Sequence, residues 1–172
     1  KKNINLIKYR PDNKFYNEIK ILMLSRISKQ KNIFTAIKAM EYLNNTQNKK
    51  KIILDIHGRI DEEDYFAHCL NLKNIVSNKS LEINFKGISN NWFTKVNSYD
   101  LLLLPSYYEG MSNVLIEAMS NGLLVCCSNI EENLNVIENW CAEFTFDPNS
   151  YLEISEAINK LLSTDIKILK KY

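Results

Sequence analysis

The chain has 172 residues, 45% of them apolar and 24% charged, and a net charge of +2. That is enough for one globular domain with a sizeable core, and too little positive charge to argue for a nucleic-acid partner. No apolar run approaches the roughly 20 residues of a membrane-spanning helix, and no signal peptide is visible.

Residues Lys1 to Glu18 are polar and aperiodic and read as a linker or edge segment. The chain opens on Lys1 without an initiator Met, so it reads as a piece of a longer protein. Ile19 to Leu24 is a compact apolar strand, followed by a loop at Ser25-Arg26 and a helix from about Asn32 to Leu43. Asn44 to Asn48 is a polar loop, and Lys51 to His57 a second strand ended by Gly58. Asp61 to about Val76 is helical, with an acidic first turn that suits the helix dipole. Leu81 to Phe85 is a third strand closed by Gly87, Asn90 to Asn97 a short helix, and Asp100 to Leu104 a fourth strand. An amphipathic helix runs from near Asn113 to Gly122, and Leu123 to Cys127 is a fifth strand. Glu131 to Ile137 is a short helix, Ala142 to Phe146 a weak sixth strand and Asn149 to Leu162 a final helix.

This alternation predicts an α/β fold, a Rossmann-like open parallel sheet of about six strands with helices on both faces. The domain spans 19–164 and is followed by a tail at 165–172. Cys69, Cys126, Cys127 and Cys141 form no C-x-x-C pair, and only His57 and His68 are at hand, so a zinc site is not expected. The cysteines read as buried reduced thiols of a cytosolic protein. Lysines gather at Lys1-Lys2, Lys49-Lys50-Lys51 and Lys167, Lys170 and Lys171. They read as solvated charge, with weak attraction to an anionic membrane surface as the second reading.

Open α/β sheets bind ligands at the carboxyl ends of their strands. After the first strand, Arg26 and Lys31 flank a short loop and can converge on an anion, one as a planar fork and the other as a mobile point charge. Lys29, in the same loop, is expected to face solvent. After the fourth strand, Glu109 and Glu117 stand eight positions apart around a helix start. The free N–H groups near Ser112 to Val114 suit a phosphate or sugar oxygen, and Glu117 can face the same cavity as Arg26. Carboxylates beside such a turn accept hydrogen bonds from sugar hydroxyls, so the combination points to a nucleotide sugar. Tyr107 and Tyr108 read as core or rim packing before a stacking platform. Asp61-Glu62-Glu63-Asp64 reads as an acidic helix start before a Mg²⁺ site.

The stretch after the fourth strand resembles the E-x7-E signature of the retaining GT-B glycosyltransferases of family 4. The usual form is roughly P-S-x-x-E-G-x-x-x-V-x-x-E-A-M-x-x-G-x-P-V, matched at Pro105, Ser106, Glu109, Gly110, Val114, Glu117, Ala118, Met119, Gly122 and Val125. Ser25-Arg26-Ile27-Ser28-Lys29-Gln30-Lys31 is similar to the upstream G-R-L-x-x-x-K element, with Ser25 in place of Gly. Ile83 to Gly87 and Asp100 match further elements in order, whereas Leu124 replaces the usual Pro. The loops at Gly58-Arg59-Ile60 and Ser128 to Glu132 lack glycines common in the family.

The resemblance implies roles. Arg26 and Lys31 would bind the donor diphosphate and stabilise the leaving nucleoside diphosphate. Glu109 would face the transferred sugar, with the backbone of Gly110, Met111, Ser112, Asn113 and Val114 touching its hydroxyls or the phosphates. Glu117 would accept from the ribose hydroxyls, and the backbone of Lys86, Gly87 and Ile88 would hold the base. No metal or other cofactor is implied. The chain would be the C-terminal, donor-binding half of the enzyme, binding a nucleotide sugar weakly and unable to transfer it alone. The N-terminal domain, which supplies the acceptor site, has no counterpart here. A UDP-hexose or UDP-N-acetylhexosamine is the leading donor. The implied acceptor is a glycan or an undecaprenyl-diphosphate-linked sugar in bacterial O-antigen, lipopolysaccharide or capsule synthesis. That places the protein in the cytoplasm, peripherally at the inner membrane face. The alternative is a non-catalytic nucleotide-binding or scaffold domain with the same half-fold. A GT-B epimerase fits the motifs poorly, and a nicotinamide dehydrogenase is not expected because no G-x-G-x-x-G follows the first strand.

Overall fold

In the computed structural model, residues 17–46, 50–89, 92–137 and 139–164 are described. They form strands β1 (Glu18–Leu24), β2 (Lys51–His57), β3 (Leu81–Gly87), β4 (Leu101–Leu104), β5 (Leu124–Ser128) and β6 (Thr145–Phe146). The helices are α1 (Ile33–Thr46), α2 (Glu63–Val76), α3 (Asn113–Ser120), α4 (Glu131–Leu134) and α5 (Tyr151–Ser163). All six strands run parallel in the order β3-β2-β1-β4-β5-β6. The expected Rossmann-like sheet is therefore present.

The apolar runs explain the layering. In β1, Ile19, Ile21 and Met23 point to the face covered by α1, α2 and α5, and Leu22 and Leu24 to the face that carries α3. Central strands covered on both sides need apolar residues at every position, and all four leucines of β4 are buried. On α1, Ile33, Ala36, Ile37, Met40 and Leu43 bury one helical stripe, and on α5 Ile154, Ala157, Ile158 and Leu161 do the same. Ser155 Oγ donates to the Ala39 carbonyl and ties the two helices together. At the start of α5, Ser150 Oγ accepts from the Glu153 amide, while the Glu153 carboxylate reaches back to the Asp147 amide.

Several boundaries differ from the sequence expectation. Glu18 belongs to β1 instead of a linker, because its backbone continues the ladder opposite Lys51. Residues 1–16, the tail at 165–172 and most of the clustered lysines lie outside the described residues. Helix α1 runs through the first part of the polar Asn44–Asn48 segment, where Thr46 Oγ1 donates to the Tyr42 and Leu43 carbonyls. Residues 92–98 form a 3-10 segment; Asn90 and Asn91 lie outside the described residues. The short helix expected to reach Ile137 stops at Leu134. The sixth strand is two residues long, since 139–144 coil into a 3-10 turn and leave only Thr145 and Phe146 to pair with β5.

The loops after β1, β2 and β3 are laced together. Ser25 N donates to the His57 carbonyl, Ile27 N to the Arg59 carbonyl and Gly58 N to the Gly87 carbonyl. A Cβ on Gly58 would sit 1.8 Å from the Ser25 carbonyl oxygen, whereas one on Gly110 would meet nothing within 4 Å. Gly58→Ala is accordingly expected to lower stability by about 3 kcal/mol through the steric clash of its methyl group with that carbonyl. Gly110→Ala should leave the melting temperature within about a degree or two, and thermal unfolding of both variants checks the contrast.

Candidate functional site

The strand order reverses between β1 and β4, and the chain leaves these neighbours toward opposite faces. Such a reversal opens a crevice at the carboxyl ends of the strands. Its walls are the loop after β1, Ser25 to Asn32, and the loop after β4, Pro105 to Ser112.

Asn32 joins these walls. It adopts a left-handed backbone conformation with φ of 55°, which Asn tolerates better than most side chains. Its buried amide donates to the Pro105 carbonyl at 3.0 Å and to the Pro148 carbonyl at 2.7 Å. Gln30 adds two more stitches: its Nε2 donates to the Tyr108 carbonyl, and its own carbonyl accepts from the Tyr107 amide. Neither residue was singled out in the sequence, although Asn immediately before an amphipathic run is a signal for such a turn.

Across the crevice, Lys31 Nζ donates to both carboxylate oxygens of Glu109 at 2.7 Å. The two side chains are only 12% and 8% exposed. Arg26 is held differently. Its NH1 donates to Asp61 at 2.7 Å and its NH2 to the Gln30 side-chain oxygen at 3.2 Å. Asp61 also accepts from Arg59 Nε at 2.7 Å. Asp61 thus lies ahead of α2 and works as an ion-pair partner, while Glu63 and Asp64 supply the acidic first turn. Lys29 is exposed, as expected.

The start of α3 is fixed from beneath. Ser112 Oγ donates to Asn133 Oδ1, and Asn133 Nδ2 donates to the Ser128 carbonyl and hydroxyl at 3.0 Å. Ser128 Oγ in turn donates to the Ser106 carbonyl. Ser106, Ser112, Ser128 and Asn133 are all buried. With Ser112 turned inward, its hydroxyl does not cap α3. The Asn113 amide donates to the Met111 carbonyl, and the amides of Gly110, Met111, Ser112 and Val114 have no partner among the described residues. Gly110 and Asn113 are exposed, Met111 is 69% exposed and Val114 is partly buried. Glu117 is exposed one turn along α3, and no contact joins it to Arg26.

Beside Arg59 lies a pocket of about 280 Å³ lined by Ile27, Ile60, Phe66, Phe85, Gly87 and Ile88 among others. Gly87 has a φ of +68°. The Lys86 side chain turns away from this pocket's lining toward Asp55, 3.7 Å away. Asp55 also accepts from Asn84 and from the Tyr99 hydroxyl. Desolvation and Asp55 push the Tyr99 phenol up, and desolvation pushes the neighbouring His57 down. A larger groove of about 610 Å³ runs between α1 and α2, bordered by Phe34, Tyr65, Leu72, Ile75 and Tyr107. Tyr107 and Tyr108 are both exposed at the rim. Asp100 lies at the opposite end of the sheet, accepting from the Lys20 amide. Cys69 is buried, its thiol pushed up to about 11, and Cys126 and Cys127 are buried in β5; the Cys141 side chain is not described. No helix of the described residues is long and apolar enough to cross a membrane.

The family described as Glycosyl transferases group 1 matches residues 7–172. No curated protein sequence matches the chain. Among solved structures, the fold is similar to that of Anabaena Alr3699/HepE in complex with UDP and glucose, with a TM-score of 0.74 at 19% identity, covering 88% of this chain and 40% of that one. It is similar to a mutant of S. aureus TarM in complex with fondaparinux, alpha-GlcNAc-glycerol and UDP, with a TM-score of 0.71 at 22% identity, covering 94% and 32%. A trehalose-6-phosphate synthase studied for glycosyl transfer with retention gives a TM-score of 0.70 at 14% identity, covering 88% and 38%. The chain thus spans between 32% and 40% of the length of these neighbours.

Asn133 supports the α3 start through three hydrogen bonds in a fully buried setting. Asn133→Ala strands a buried hydroxyl and a buried carbonyl and should cost about 2–3 kcal/mol, read as a lower urea midpoint at unchanged m-value.

Proposed function

This chain belongs to the glycosyl transferases group 1, and from that premise we propose that it is the donor-binding half of a retaining GT-B glycosyltransferase of family 4. The donor is a nucleoside-diphosphate sugar, with a UDP-hexose or UDP-N-acetylhexosamine as the leading candidate. The acceptor, a glycan or lipid-linked sugar of a bacterial surface polysaccharide, is met by a domain beyond this chain, at the inner face of the membrane. The observation that carries the reading is the largely buried Lys31–Glu109 pair spanning the crevice at the sheet reversal, beside the unpartnered amides at the approach to α3.

The chemistry follows from the charges. Breaking the bond between the anomeric carbon and the diphosphate builds positive charge on the sugar and negative charge on the departing phosphate. Arg26, Lys31 and the α3 amides oppose the second, and the Glu109 carboxylate opposes the first. Paired as they are, Lys31 and Glu109 neutralise each other. A diphosphate seated on the amides draws Lys31 toward its oxygens and releases the Glu109 oxygens to accept from sugar hydroxyls. The absence of a side chain at Gly110 leaves room for the sugar, since nothing inside the chain fills that space. Glu117, exposed on α3, accepts from the ribose hydroxyls, and the pocket at Ile60, Gly87 and Ile88 takes the base. The neighbours bound to UDP and UDP-glucose support the choice of donor class.

In the full-length protein, Lys31→Ala and Glu109→Ala should each reduce transfer at least about 100-fold with folding intact. Glu117→Ala should weaken donor binding about tenfold. Radiolabelled sugar transfer and calorimetric titration with UDP, GDP and ADP sugars measure both effects. Unchanged transfer in Lys31→Ala would remove the pair from the site, and nucleotide binding without any transfer by the wild type would leave the non-catalytic binding domain.

A further inference from the structure

We propose that Asp61 is a positioning residue of the diphosphate site, holding the Arg26 fork in place, and that Arg59 is the cation that lets it do so without cancelling the charge of Arg26. The assignment rests on the donor-site reading above.

Asp61 is placed by backbone bonds to the residue that follows Arg26. Its amide and that of Glu62 donate to the Ile27 carbonyl, and Ile27 pairs with Ile60 in a parallel bridge. The carboxylate therefore has a fixed origin relative to Arg26. The fork is gripped on two edges, NH1 by Asp61 and NH2 by Gln30. Gln30 is itself tied to the Tyr108 carbonyl, next to Glu109. The orientation of Arg26 is thus set relative to the wall that carries the other ion pair.

Stability is a poor explanation for this arrangement. The Arg26 and Arg59 side chains are 48% and 64% exposed, and exposed ion pairs add little to folding. The charge count gives a better one. Arg26 and Asp61 alone would form a neutral pair with no field for an anion. Two guanidiniums on one carboxylate leave a net positive charge. When a diphosphate takes Arg26, Asp61 keeps Arg59 and is not left uncompensated. Arg59 also borders the pocket at Ile60, Gly87 and Ile88, so it stands at the junction between base and phosphate sites.

The test uses calorimetric titration of the full-length protein with UDP, GDP and ADP and their parent nucleosides, at low and high salt. Asp61→Asn adds one positive charge, so simple electrostatics predicts tighter diphosphate binding; positioning predicts binding about fivefold to tenfold weaker, with nucleoside binding unchanged. Arg59→Ala should weaken diphosphate binding about threefold at low salt and less at high salt, and Arg59→Lys should restore most of it. Should Asp61→Asn not fold, Asp61→Glu keeps the charge, displaces the carboxylate and is expected to weaken binding in the same way. Diphosphate binding by Asp61→Asn as tight as wild type or tighter overturns the proposal. Lys31→Ala separates the two readings. If it weakens binding while the Asp61 variants do not, only the role of Asp61 fails. If the wild type binds no nucleotide, the donor-site reading fails and takes this one with it.

Discussion

The constraint on which this domain turns is the reversal of strand order between β1 and β4. Two parallel neighbours whose chains leave toward opposite faces cannot both be roofed at their carboxyl ends. The loops there must find partners in each other instead of in a covering helix. The solution is a set of cross-loop hydrogen bonds from side chains of fixed reach, with the Asn32 amide serving two carbonyls and Gln30 serving a third. Arg26, Lys31, Glu109 and the backbone of Gly110 to Ser112 hang from these two laced walls.

Much of this was legible in the sequence, for physical reasons. Uniformly apolar runs such as Leu101 to Leu104 mark strands buried on both faces, and the 3.6-residue stripes of α1 and α5 mark helices with one dry side. Strand-end loops with Arg, Lys and paired Glu identified the crevice, because periodic segments leave few places where charge can gather. The resemblance then named a role for each of them.

What stayed hidden depends on distance in sequence. Asp61 read as a helix-start acid because its neighbours are acidic, and nothing local shows that Arg26, 35 residues earlier, lies against it. Ser128 and Asn133 are small polar residues whose importance comes from the bonds they make when buried, and burial of a polar residue has no periodic signature. The polar cluster on one side of β2 and β3, where Asp55 gathers Asn84, Tyr99 and Lys86, was invisible for the same reason. The sixth strand was overestimated because its apolar residues serve a 3-10 turn as well as they would a ladder.

The chain of Ser106, Ser128, Asn133 and Ser112 beneath α3 contains no group that titrates between about pH 2 and 12. Buried neutral bonds are insensitive both to protons and to the ionic atmosphere. The charged groups above them respond to that atmosphere. Frame and contents of the crevice are thus decoupled: a change of salt reaches the charged groups of the crevice while the neutral bonds beneath them hold. A crevice built this way would lose its hold on an anion in brine well before it lost architecture.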